Sequence, residues 1–460
     1  MAFLVSVGLF VFFGIVGFAV LGALYRRDDL VRTMLIAPAV GILMLIYLNY
    51  VLSRLGFPIG EVALPLTITV STGALAALAW RRPPLPGRRG LPYIAVAGLA
   101  FGVCGWPLLV DGFAWLSHFN PDAGNYMQDT DRLVHRSFDA VADAATLRGQ
   151  TDWGSYYVIY PLTGSRTGSD LLFAWAVSVT GRDEAAIYMP LIVSWHVAAL
   201  SAATALTPTP HRFTRLLTAV VLATSALSSL GVMLQLLGQE LGLCCLAAAS
   251  VLLLSPFYRL AWPGMLRFVV LAGLVMAAFI LSYPEMLPFL ALGFLAYHAR
   301  GFFEWSRDWR KTLLAVALVA CCGFLLVARD AMPLINFLFS QAQAAETRML
   351  HPNLFPYFLI PTGAGALWGL IPVSGYGGLI PQTPAIAMGF ALSGVTLVAA
   401  PYLAWRREAS ATNLLVMIGL AVVLTFQGAG FGTLKLAMYM QPFLMPTLVS
   451  AFCRVLRASR

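Results

Sequence analysis

Hydrophobic residues in this chain come in long unbroken runs, without the spacing of an amphipathic surface helix. Thirteen such runs lie at 2–24, 34–52, 62–80, 91–110, 184–207, 216–234, 240–255, 268–283, 286–299, 312–328, 380–404, 414–430 and 435–453. Most have the roughly 17 to 25 residues that a helix needs to cross about 30 Å of hydrocarbon; those starting at 240, 268 and 286 are shorter. The pattern predicts an all-α polytopic membrane protein with about 13 transmembrane helices. The first run has no basic start and no clear small-residue cleavage site before Tyr25-Arg26-Arg27, so it reads as a span and not as a signal peptide.

Two long segments interrupt the runs, at 111–183 and 329–379. In the first, Asn120-Pro121 reads as a helix start, with Asn as cap and Pro at the first helical position. Asp122, Asn125, Tyr126 and Asp129 then fall on one helical face, and Arg132 and Arg136 continue roughly that side. Asp122 has two readings, a carboxylate that only complements the positive end of the helix or one that faces a wet cavity above the membrane. The apolar run at 169–181 is too short to span and is expected to lie as an interfacial helix on the outer leaflet. The second segment carries Arg348 and a Pro/Gly-rich stretch at 361–378, read either as a mobile lid or as an ordinary surface loop.

Composition agrees with the pattern: hydrophobic residues make up 60% of the chain, charged residues 11%, and mean hydropathy is +0.81. Charge sets the expected orientation. With the N-terminus outside, 20 of the 29 Lys and Arg residues fall in inner loops and 15 of the 20 Asp and Glu residues fall outside. The net charge of +9 therefore reports topology and anionic headgroups, and makes no case for nucleic acid. An odd span count puts the C-terminus in the cytoplasm. All six cysteines fall inside predicted spans, which suggests neither a disulfide framework nor a zinc site. The absence of an Asn-x-Ser/Thr sequon favours a bacterial inner membrane.

A third polar group sits at predicted span ends: Gln239 and Glu240, Tyr283 and Glu285, and Lys435 with Tyr439. Ionisable residues at membrane depth are costly and by default mark a functional cavity with partners; the bland alternative is that each reaches the headgroups alone. Lys435 is expected to find Glu240, Glu285 or a lipid phosphate.

The order of these features resembles the GT-C superfamily of membrane glycosyltransferases, which includes protein O-mannosyltransferases and aminoarabinose transferases. The resemblance rests on an acidic first outer loop, seven spans (91–328), and a second large outer loop. Asp122 and Tyr126 match the Asp and Tyr of the family's Asp-Glu-x-x-Tyr, with Ala123 in place of Glu, and GRDEAAIYMP at 181–190 is similar to a Gly-x-x-Glu-x-Ala-x-Arg-x-Pro pattern, with Tyr188 near the usual Arg. It implies three units: an extra three-span unit at 1–90, a catalytic core at 91–379, and a three-span unit at 380–460. It also implies an inverting transfer of sugar from a polyprenyl-phosphate donor to a lipid, glycan or protein acceptor at the outer face. Asp122 would be the base. Arg132, Arg136, Arg348 and Lys435 would contact phosphate, and Asp129 or Asp131 would hold sugar hydroxyls or a divalent cation. The rival readings are a lipid-linked saccharide transporter and a polysaccharide ligase on another fold.

Overall fold

The structure is a computed structural model that describes residues 1–25, 29–116, 122–140, 166–208, 212–257, 260–303, 309–346, 361–372 and 380–458. The described residues are helical, with no strand among them. The first four long helices are α1 (Ala2–Leu24), α2 (Leu30–Arg54), α3 (Ile59–Arg81) and α4 (Leu91–Gly105). Two helices follow from the first long segment, α5 (Asp122–His135) and α6 (Thr167–Thr180). The chain continues through α7 (Glu184–Thr204), α8 (Arg212–Ala223), α9 (Ala226–Met233), α10 (Leu237–Leu253), α11 (Trp262–Ser282), α12 (Leu287–Phe303) and α13 (Trp309–Leu325). The last five are α14 (Ala331–Glu346), α15 (Thr362–Ala366), α16 (Gln382–Trp405), α17 (Ala409–Phe426) and α18 (Gly430–Ala458).

Among the described residues, eight helices are long and apolar enough to cross a membrane, or ten if the bent pairs α8 with α9 and α13 with α14 each count as one. Several present bare hydrocarbon outward: Leu64, Ile68 and Leu75 on α3 and Val398 on α16 are all exposed. A water-facing helix would carry polar residues there, so these flanks fit lipid.

Small residues let the helices approach closely. α1 and α2 run antiparallel with Gly17 against Ala37 and Gly41 against Phe13; a Cβ added at either glycine would lie 1.8 or 1.9 Å from the facing carbonyl oxygen. This is how membrane helices associate when hydrocarbon surrounds them and burial alone gives little drive. One continuous core runs from Phe13 and Ile42 through Trp175, Trp195 and Phe279 to Phe443, so the helices of 1–90 share it with the rest.

The helix at 167–180 does not lie on a leaflet. Every residue of α6 from Thr167 to Val177 is buried. Gly168 abuts Ser282 and Ile46, and Trp175 stacks on Phe12 and donates its indole N–H to the Thr67 hydroxyl at 2.9 Å. The physical reason is in its sequence: a helix apolar on all sides has no polar face for headgroups and is better inside a bundle. At 14 residues it is about 21 Å long, too short to cross.

Among the described residues, the arginine–carboxylate pairs divide between two ends of the bundle. Asp29, the N-cap of α2, pairs with Arg215 at 2.7 Å, and Arg454 pairs with Glu408. At the far end of α2, Arg54 bridges Asp139 and Asp330, and Arg329 meets Asp139 at 2.9 Å. The 25 residues of α2 separate the two sets by roughly 37 Å. α5 sits at the Arg54 end: a Cβ at Gly60, just inside α3, would lie 2.5 Å from the Val134 carbonyl oxygen, and Ser53 accepts the Phe138 amide at 2.8 Å.

Candidate functional site

Arg166 organises the Arg54 end of the bundle. It precedes α6, and its guanidinium meets Glu285 through Nη2 at 2.5 Å and Nε at 3.0 Å, both on the same oxygen. Nη1 donates to the Tyr126 hydroxyl at 3.3 Å, and the group lies over the Tyr283 ring, 4.8 Å from its centre. Tyr283 and Tyr439 join through their hydroxyls at 3.0 Å. Sequence reasoning named Tyr126, Tyr283, Glu285 and Tyr439, and the fold brings all four together around Arg166, which it missed. Arg166 follows a polar stretch with no helical pattern, and the sequence gives no register for it.

Backbone geometry keeps the cluster tight. Gly238, at the start of α10, faces the Tyr126 hydroxyl; a Cβ there would come within 2.6 Å of it and 3.3 Å of Arg166 Cδ. Pro284 opens a short 3₁₀ turn that carries Glu285 between α11 and α12. Burial pushes the Tyr126 phenol above its ordinary value, so it remains a neutral hydroxyl.

Among the buried side-chain oxygens with no hydrogen-bond partner among the described residues are Glu285 Oε2, Gln239 Oε1 and Asp170 Oδ1, on elements that surround Arg166. Asp170, on the first turn of α6, was also missed in the sequence, where it falls inside the apolar run at 169–181. Gln239 uses its amide nitrogen on Met438 Sδ at 3.4 Å, which fixes it against α18. Unpaired buried acceptors are uncommon and call for donors.

The remaining predicted residues separate. On α5, Asp122 is exposed, Asp131 is exposed and pairs with His135 at 3.3 Å, and Arg132 donates to the Ala140 carbonyl at 3.3 Å. Arg136 is half-buried just beyond the helix. Asp129 is half-buried, and its carboxyl is pushed up to about 6 by desolvation, with Arg132 pulling it partly back. Asp122 and Asn125 are exposed while Tyr126 points into the bundle, so the one face read from the sequence does not act as a unit. Arg348 lies outside the described residues.

Glu240 does not join Lys435. It is fully buried and pairs through Oε2 with His196 Nδ1 at 2.9 Å, and among the described residues Glu240 Oε1 and His196 Nε2 have no hydrogen-bond partner. Glu240 is one residue past Gln239 on α10, so it points about 100° away, into the bundle. Lys435 stands one turn from Tyr439 on α18, its ammonium 4.8 Å from the Phe431 ring centre. Neither Glu240 nor Glu285 pairs with it, since both have other partners. Among the described residues, no group of three or more His, Cys, Asp or Glu side chains gathers as a metal site.

No protein-family model matches this chain, and no curated protein sequence matches it. The class defined by fold and composition is a multi-pass α-helical membrane protein.

Proposed function

We propose that this protein is an inverting glycosyltransferase that moves a sugar from a polyprenyl-phosphate donor to an acceptor at the outer face of the membrane. The observation that supports it most is the set of unpaired buried acceptors beside Arg166. Sugar hydroxyls are donors of the kind that Glu285 Oε2, Gln239 Oε1 and Asp170 Oδ1 lack. The order of features shared with the GT-C superfamily points the same way.

In this reading the bond from the anomeric carbon to the phosphate oxygen breaks, and its electron pair leaves with the polyprenyl phosphate. The acceptor oxygen forms the new bond, and its proton passes to a carboxylate on α5, with Asp122 first in line. Arg132, Arg136 and Lys435 supply positive charge for the departing phosphate. Thirteen crossings fit the same scheme. The ten long or bent spans together with the short helices α4, α10 and α12 would make thirteen, an odd number that would set the termini on opposite sides. The excess of Lys and Arg in the loops on the C-terminal side favours the N-terminus outside and the C-terminus in the cytoplasm.

The test is Asp122→Asn, assayed as release of polyprenyl phosphate from a labelled polyprenyl-phosphate sugar in membranes. Loss of about 10²-fold or more with normal folded yield is expected. Turnover near wild type would remove Asp122 from the role and move it to Asp129 or Asp131. One observation favours a transporter of lipid-linked saccharide instead: the His196–Glu240 pair deep in the bundle, a setting typical of transport paths. A protein that moves the saccharide across vesicles and releases no polyprenyl phosphate would establish that reading.

A further inference from the structure

At the opposite end of the bundle, a cavity of about 800 Å³ opens between α2, α4, α8 and the connection from α3 to α4. That volume lies within the roughly 300–1,000 Å³ typical of ligand pockets. Its polar wall is Arg88, Arg89, Arg212, Arg215, Asp29 and Tyr93. Asp29 is committed to Arg215 at 2.7 Å and is the only acidic residue among the described residues of the lining. No ion pair among the described residues engages Arg88, Arg89 or Arg212, all three of which are exposed. Among the described residues, the cavity therefore carries three cations that no carboxylate pairs with.

Its mouth is apolar. Phe213 and Leu85 line it and are 66% and 74% exposed, and Leu91 and Ile94 continue the exposed surface down α4. Below Tyr93, a crevice between α4, α7 and α8 measures only about 20 Å³, too tight for an acyl chain. A lipid held here would place its chains along the outer flank of α4 and its headgroup in the chamber.

We propose that this cavity is a binding site for the headgroup of an anionic phospholipid of the adjoining leaflet. The chemistry is that of a phosphate: several guanidiniums converge, arginine suits bidentate phosphate contacts, and basic pockets between membrane helices recognise acidic headgroups. A free phosphate ion shares the charge but has no use for the exposed Phe213, Leu85 and Leu91. The inference rests on the membrane setting alone and does not depend on sugar transfer.

The experiment measures melting temperature of the purified protein in detergent during titration with short-chain phosphatidylglycerol, short-chain phosphatidylcholine and inorganic phosphate. Phosphatidylglycerol is expected to raise it saturably, and the other two are not. Combining Arg88→Gln, Arg89→Gln and Arg212→Gln should weaken the apparent affinity for phosphatidylglycerol by roughly a hundredfold, given the contribution of each basic residue near an anionic surface. Arg81→Gln with Arg82→Gln, outside the cavity, should leave it unchanged. If the triple variant does not fold, Arg88→Gln and Arg89→Gln singly should each weaken binding several-fold. Equal stabilisation by phosphatidylcholine, saturation by phosphate alone, or an unchanged response in the arginine variants would overturn the proposal.

Discussion

Asp129 stands between two environments, half-buried on α5 and one turn from Arg132. Its folded carboxyl, at about 6, lies above the ordinary aspartate value because burial disfavours the charge more than Arg132 restores it. A raised folded value means that the native state holds the proton after the unfolded chain has released it. Stability from this group is therefore full below about pH 4 and falls as pH rises toward 6. Asp129→Asn removes the buried charge, so melting temperature at pH 7 should rise and its decline between pH 4 and 6 should shrink. Thermal melts across that window check this; an unchanged slope would place the carboxylate in solvent.

Arg166 and Glu285 are 21% and 16% exposed, so each charge depends on the other. Removing one partner of a fully buried pair costs about 3 to 5 kcal/mol, and somewhat less is expected here because water reaches the edge. Arg166→Gln and Glu285→Gln should each lower stability, and the double variant should be less destabilised than the sum. Additive losses in a double-mutant cycle would mean that the two side chains act separately.

Glycines decide the packing of elements. Gly41 meets the Phe13 backbone, and a methyl group cannot fit without moving a helix. Gly41→Ala should cost on the order of 1 to 3 kcal/mol or more, as overpacking does. Gly8, on the same helix pair but with nothing within 4 Å of an added Cβ, is the control. Gly8→Ala should leave the unfolding temperature in detergent unchanged or slightly higher. Similar melts for the two variants would show that the close contact of α1 and α2 carries no weight.

Among the described residues, the Arg–carboxylate pairs gather at two ends of the bundle, and the proposed orientation puts the Arg54 end outside. In a background without the six native cysteines, Asp131→Cys should react with a membrane-impermeant maleimide from outside intact cells. Arg88→Cys should react only after permeabilisation. The reverse labelling would turn the molecule over and place the candidate site in the cytoplasm.

Hydrophobic run length determined several of the long helices: α1, α3, α7 and α16 coincide closely with the runs at 2–24, 62–80, 184–207 and 380–404, whereas the run at 216–234 breaks between α8 and α9. A helix satisfies its own backbone within lipid, so length and apolarity are sufficient to specify it. Tyr283, Glu285 and Tyr439 were legible as site candidates as polar groups out of place near hydrocarbon, and Tyr126 as one member of a polar helical face in the first long segment. Partners were not legible, because pairing depends on the angle at which each side chain leaves its helix and on which helices become neighbours. Gln239 and Glu240 are adjacent in the chain, yet one faces α18 near the site and the other faces His196 on α7. Arg166 became central only when α6 was drawn inside the bundle, where the apolar surface of that helix is covered on every side by its neighbours.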